Sequence, residues 1–294
     1  MPGGEDVRVD PLTGVVVVVA GGRQGRPDLS AGVEPDGCPF CPGGLEAPEP
    51  YRTRWFPNRW PPLPDGRAEL LLYTPGHDAP MWSLGVDAVT DVVDLWAERT
   101  AAQAARPDVD YVLVFENRGP AVGATVPHPH GQLYAFSFVP ESPARELQRP
   151  SCALCVRPDP ARAVAQVGGW RAEVPVAPAW PFELRLFPDR HEPDLPGLDG
   201  AGRRDLAAVL VDVGARLDQL FEAPMPYMFW WHQRPAGGGD WPQAHVHAHV
   251  APLLRAPGTA RFVASGELGS GVFFDPVVPE DAAARLRDLP GAPG

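Results

Sequence analysis

The chain of 294 residues predicts an α+β fold assembled from a duplicated unit. Three observations carry this prediction. Motifs recur in the same order in both halves, each half holds one amphipathic helical stretch, and the strands around it are short, alternating and bounded by turn residues. Cys38 and Cys41 recur as Cys152 and Cys155, and His77 as His191, each 114 residues on. ELLLYTPGH (69–77) faces ELRLFPDRH (183–191) at the same offset. YVLVFEN (111–117) then faces YMFWWHQ (227–233), and HPHGQ (128–132) faces HVHAH (245–249). Chance could supply one such match but not the ordered series, which divides the chain into halves at 1–148 and 149–294.

Each half reads as a loop with C-x-x-C, a strand ending near a histidine, a helix, a strand, and a second strand with alternate histidines. The helices are expected over 87–104 and 204–221, where apolar residues fall at i, i+3 and i+4, as with Leu206, Val209, Leu210 and Val213. Short alternating strands favour antiparallel pairing. A closing helix over 279–289 opens with proline and acidic residues, which suit a helix N-terminus. The Pro/Gly-rich stretches 35–50, 57–66, 234–242 and 290–294 read as loops and a frayed tail.

A net charge of −12 argues against nucleic acid or a membrane surface as partner, although local arginines could hold a small anion. The N-terminal residues lack a basic region followed by an apolar one, so no signal peptide is expected. No apolar run approaches a membrane span. The expected location is the cytoplasm.

Four cysteines in two C-x-x-C pairs, in a cytosolic chain with scattered histidines, suggest metal before disulfide; redox pairs or merely buried thiols are the alternatives. Structural zinc takes four N/S ligands in a closed tetrahedron. The repeat supplies that set twice: Cys38, Cys41, His77 and His128, then Cys152, Cys155, His191 and His245. His130, His232, His247 and His249 complete the eight histidines, all in or beside a matched motif. On an extended segment His128, His130 and Gln132 share one side, with Leu133 and Ala135 on the other. Three such polar groups on one face make a poor core and a good site.

HPHGQ, preceded by VFENRGPAVGATVP, with CPFC upstream and HAHVAPLLR downstream, resembles the galactose-1-phosphate uridylyltransferase family of the histidine-triad superfamily. The resemblance runs from DPLTG (10–14) to the last helix. It implies a duplicated histidine-triad unit, mostly antiparallel sheet in a half-barrel with flanking helices. The implied reaction is ping-pong transfer between UDP-glucose and a hexose 1-phosphate, through a uridylyl-histidine. His130 matches the nucleophile, and Gln132 the residue that holds the α-phosphate. Cys38, Cys41, His77 and His128 match zinc ligands. Arg23, Arg26, Asn58, Asn117 and Thr125 match residues near the nucleotide and its phosphates. Glu146, His232, His247 and His249 match a further metal site, of iron or zinc, in some members. The resemblance also implies nucleotide-sugar and sugar 1-phosphate substrates and a homodimer with sites completed across the interface.

Elementary chemistry agrees with that reaction. A neutral imidazole is a fair nucleophile near pH 7, provided its other nitrogen is held as N–H, as by a backbone carbonyl. Transfer then needs positioning and donors on the non-bridging oxygens. The segment 260–271 departs from the family: Arg261 stands where lysine is usual, Gly266 where an aromatic is common, and Glu267 is kept. Nucleotidyl transfer is therefore read more firmly than the identity of the sugar. Two other readings compete. One is a nucleotide hydrolase or phosphorylase working through His245, His247 and His249; the other is a zinc-stapled binding protein without catalysis. Hydrolases of this kind carry a histidine where Gln132 stands, and the intact HPHGQ disfavours the last.

Overall fold

A computed structural model describes residues 6–25, 33–156 and 159–292. The elements in chain order begin with β1 (Val7–Val9) and β2 (Val16–Val18), then β3 (Arg54–Pro57), β4 (Ala68–Leu72), α1 (Gly85–Ala104), β5 (Tyr111–Arg118), β6 (His130–Phe136) and α2 (Glu141–Leu147). There follow β7 (Ala163–Val167), β8 (Trp170–Glu173), β9 (Leu184–Pro188), α3 (Gly200–Gln219), β10 (Tyr227–His232) and β11 (His247–Pro252). The chain closes with β12 (Leu254–Ala256), β13 (Thr259–Ala260), α4 (Ser265–Ser270) and α5 (Pro279–Asp288).

Nine strands form one antiparallel sheet in the order β3-β4-β6-β5-β10-β11-β9-β8-β7. The expected α+β class is what forms. From its centre the order reads alike in both directions, β5-β6-β4-β3 one way and β10-β11-β9-β8 the other. The duplicated units therefore meet along β5 and β10, where Phe115 pairs with Trp230 and Asn117 with Met228. Through β4 and β9 the true equivalence runs one residue away from the gapless 114-residue alignment. Leu70 lies opposite Gln132, and Arg185 opposite His249. Because strand side chains alternate, that slip turns Arg185 onto the histidine face.

One face of the sheet packs against α1 and α3, which also pack on each other. Val89, Val92, Val93 and Trp96 of α1 are buried there, with Leu206, Val209, Leu210, Val213 and Leu217 of α3. Both helices begin earlier than the apolar pattern predicts. Asp199 caps α3 by accepting from the Gly202 N–H at 2.7 Å, so the polar first turn is helical too. A Cβ on Gly214 would overlap the Trp82 indole, so this glycine lets Trp82 lie against α3. The short helices α2 and α4 and the β1–β2 hairpin have no counterpart in the predicted pattern.

The opposite face carries the histidines. Leu133 and Ala135 point into the helix-side core as the alternation predicts. A second, smaller core of Phe40, Phe56, Leu70 and Leu72 with the Cys38–Cys41 loop packs beside His130.

Candidate functional site and its family

His130 opens β6, paired with Leu72. Its Nδ1 lies 2.7 Å from the His128 carbonyl, and its ring packs edge-on against Phe40, 5.2 Å between centroids. A carbonyl only accepts, so Nδ1 carries the proton and Nε2 the lone pair. Two cavities meet at this ring. One, of about 450 Å³, is lined by the Cys38 loop, Asn58, Trp60, Leu70, Thr125 and His130. The other, of about 200 Å³, is lined by Asn117, Arg118, His128 and His130 among others. The Tyr134 hydroxyl donates to Gln132 Oε1 and accepts from Arg23, each at 3.4 Å, so Arg23 reaches the Gln132 end of the site. Arg26 lies outside the described residues. Asn58 accepts from the Trp60 N–H at 2.9 Å, which orders the loop lining the larger cavity.

The two Cys/His sets assemble as the repeat predicts, and within each set the ligand atoms lie within 4.8 Å of one another. In the first, Cys41 Sγ is 3.3 Å from His77 Nδ1 and 3.6 Å from His128 Nδ1, and Cys38 Sγ is 3.8 Å from His128 Nδ1. Bond lengths to tetrahedral zinc imply ligand separations of about 3.5 Å. His128 Nε2 donates to the Thr74 carbonyl at 2.8 Å, which turns the Nδ1 lone pair toward the sulfurs. His245 does the same through the Pro188 carbonyl at 3.0 Å, facing Cys152 at 3.4 Å, while His191 faces Cys155 at 3.1 Å. Burial, with the neighbouring Cys38, raises the Cys41 thiol to about 11; Cys155 is raised likewise by burial and Cys152. A cation bound among these ligands would hold the cysteines as thiolates.

A third set joins Glu146 from α2 to His232, His247 and His249. Glu146 Oε1 accepts from His232 Nδ1 at 2.9 Å, and Oε2 lies 3.4 Å from His247 Nε2. Burial acts to raise the Glu146 carboxyl, but these two histidines outweigh it and hold it well below the usual carboxylate range. His249 stacks on Trp230, 4.9 Å apart and nearly parallel, and its Nε2 is buried without a hydrogen-bond partner among the described residues. A metal ion would satisfy that nitrogen, and three imidazoles with one carboxylate make a harder donor set than the thiolate pairs.

Arg261 and Glu267 lie elsewhere. They form a buried ion pair with each other, with Arg261 4.7 Å over the Trp180 ring, and neither lines the two cavities at His130. Two further residues that the sequence did not single out meet the histidines. Tyr51 bonds the Phe40 and Thr74 carbonyls and sits 3.0 Å from His128 Nε2, and Glu183 faces His249 Nδ1 at 3.4 Å.

This fold, with a histidine-bearing strand in each half, defines a duplicated histidine-triad-like protein. Residues 61–140 match the N-terminal domain of galactose-1-phosphate uridyl transferase, and residues 158–292 its C-terminal domain. The chain is 32% identical to galactose-1-phosphate uridylyltransferase of Thermotoga maritima, over 96% of this chain and 98% of that one. It is 33% identical to the Streptomyces lividans enzyme of that name, over 97% and 87%. A solved uridylyltransferase structure superposes with a TM-score of 0.86 at 30% identity, covering 96% of this chain and 97% of that one. The chain belongs to the galactose-1-phosphate uridylyltransferase family.

Proposed function

We propose that this protein transfers a uridylyl group from UDP-glucose to galactose 1-phosphate, with His130 as the covalent carrier. The observation that carries the reading is the His130 Nδ1 to His128 carbonyl bond, which leaves the Nε2 lone pair as the attacking group. Nε2 attacks the α-phosphorus, a P–N bond forms, and the P–O bond to glucose 1-phosphate breaks. A phosphate oxygen of galactose 1-phosphate then attacks the same phosphorus, the P–N bond breaks, and the imidazole returns with UDP-galactose released. Gln132, kept in place by Tyr134 and near Arg23, steadies the non-bridging oxygens. Asn58 and Thr125 border the larger cavity as nucleoside contacts, and Asn117 borders the smaller.

The two Cys/His sets suit zinc, and the Glu146 set suits iron or zinc. Bound at the first set, the metal would fix His128 and with it the carbonyl that orients His130. A hydrolase centred on His247 is disfavoured, because Glu146 already presents a carboxylate to its Nε2 and would repel an incoming phosphate.

The working unit is a cytoplasmic homodimer in which the segment 260–271, held in shape by the Arg261–Glu267 pair, lies beside the partner's site. Two exposed apolar patches support this. The β1–β2 hairpin, outside the main sheet, exposes Val7, Val9, Val16 and Val17, and the α4 region exposes Phe262 (78%), Leu268 (77%) and Phe274 (67%). Among the described residues no helix is long and apolar enough to cross a membrane.

Intact mass measurement tests the reaction. With UDP-glucose alone the protein should release about one equivalent of glucose 1-phosphate and stop with an acid-labile adduct on His130, discharged by galactose 1-phosphate. Continuous hydrolysis without an adduct, or labelling of His247, would refute the assignment. Elemental analysis should find at least one zinc per chain.

A further inference from the structure

Behind the His130 strand, on the helix side of the sheet, lies a buried polar cluster that the transfer chemistry does not use. Gly131 faces it, paired with Glu116 on β5 and Leu71 on β4. A Cβ on Gly131 would overlap the Tyr73 hydroxyl and lie 2.8 Å from its Cζ. The phenol therefore fills the space left by the missing side chain. Glu116 enters from the neighbouring strand, and its Oε1 accepts from the Tyr227 hydroxyl of β10 at 2.5 Å. Tyr73 Oη and Glu116 Oε2 are buried without an aligned partner among the described residues, yet the two groups lie close enough to perturb each other's protonation. A leucine and a phenylalanine would fill this volume with no polar group to satisfy.

We infer that Tyr73 and Glu116 are positioning residues for His130. The phenol, packed under Gly131 beside Glu116, sets how far the His128–Gly131 segment stands from the helix layer and so where Nε2 points. The inference rests on His130 being the nucleophile. Both ends of the bond from Nδ1 to the His128 carbonyl lie in that segment, so a shift of Gly131 into emptied space would tilt the imidazole across the mouth of both cavities. Through Tyr227 the second half shares in the bracing.

Rapid-quench measurement of His130 labelling by UDP-glucose, on the full-length metal-loaded protein, tests this. Tyr73→Phe should slow labelling at least ~10-fold while the KM for UDP-glucose stays within about two-fold, since a misplacement near 1 Å can cost about 100-fold in rate. Glu116→Gln, which keeps size and an acceptor oxygen, should retain more rate than Glu116→Ala. Zinc content should match wild type in all three. A folded Tyr73→Phe that labels at the wild-type rate overturns the inference, as does a loss that follows melting temperature alone. Should Tyr73→Phe fail to fold, Gly131→Ala approaches the same contact from the other side and should likewise lower the rate with KM kept. Normal labelling in wild type and in these variants removes the bracing alone, whereas no labelling in wild type removes the nucleophile assignment and the bracing together.

Discussion

His128 and His130 stand two residues apart and do different work. His128 gives its ring to the Cys pair and its carbonyl to His130, so the order in which function is lost should separate the two. His130→Gly is expected to keep its metal and lose the adduct, while His128→Ala should lose metal first and activity with it, read by elemental analysis beside mass spectrometry. Glu116 makes a second prediction. Burial raises its carboxyl from 4.5 to about 7, with the Tyr227 hydrogen bond, Arg118 and Tyr73 opposing. Between those values the unfolded chain ionises while the folded one stays protonated, so stability should fall as pH rises from about 4.5 to 7, by about 3 kcal/mol at most. Urea titrations of wild type and Glu116→Gln across pH 5–8 should differ by that slope; parallel curves would refute it. Alternation alone placed His130 and Gln132 opposite Leu133 and Ala135, because the period of two is local. Tyr51 was illegible, since it meets His128 from a distant part of the chain and belongs to no motif; Tyr73 and Glu183 stand inside the matched segments 69–77 and 183–191, but the partners each one meets lie far off in sequence.

Helices α1 and α3 were legible because their buried stripes repeat at helical spacing; their starts, which carry few apolar residues, were set too late, and α3 ends at Gln219 rather than 221. The hairpin β1–β2 was missed for the opposite reason. Its valines run consecutively from Val15 to Val19 and so offer no alternating pattern to separate an inner from an outer face. The slip between β4 and β9 was hidden because ELLL and ELRL look alike residue for residue, while the ladders place Leu70 and Arg185 as equivalents. The helix layer itself is open to test. Trp96 is fully buried between α1 and the sheet, in ring contact with Tyr73, Phe229 and Trp231. Trp96→Ala should cost about 3–5 kcal/mol, seen as a lower urea midpoint with an unchanged slope.

At the scale of the whole molecule the two apolar patches predict association. Val9→Asp with Val17→Asp places charge on the hairpin and should shift the proposed dimer to monomer in sedimentation, with loss of transfer but no loss of bound metal. An unchanged dimer would mean that the hairpin is not its contact. The central joint between β5 and β10 has a different consequence. The chain passes from the first half to the second between β6 and β7, whereas the sheet is continuous across β5 and β10, so backbone covalency and sheet continuity are separable. A cut between residues 148 and 149 would give two polypeptides, each exposing the bare rim of its innermost strand. Neither should be a soluble fold alone. Produced together, they should zip along that rim into a nicked enzyme that transfers uridylyl groups, so this chain is a candidate for a two-part reporter whose signal depends on one pair of strands finding each other.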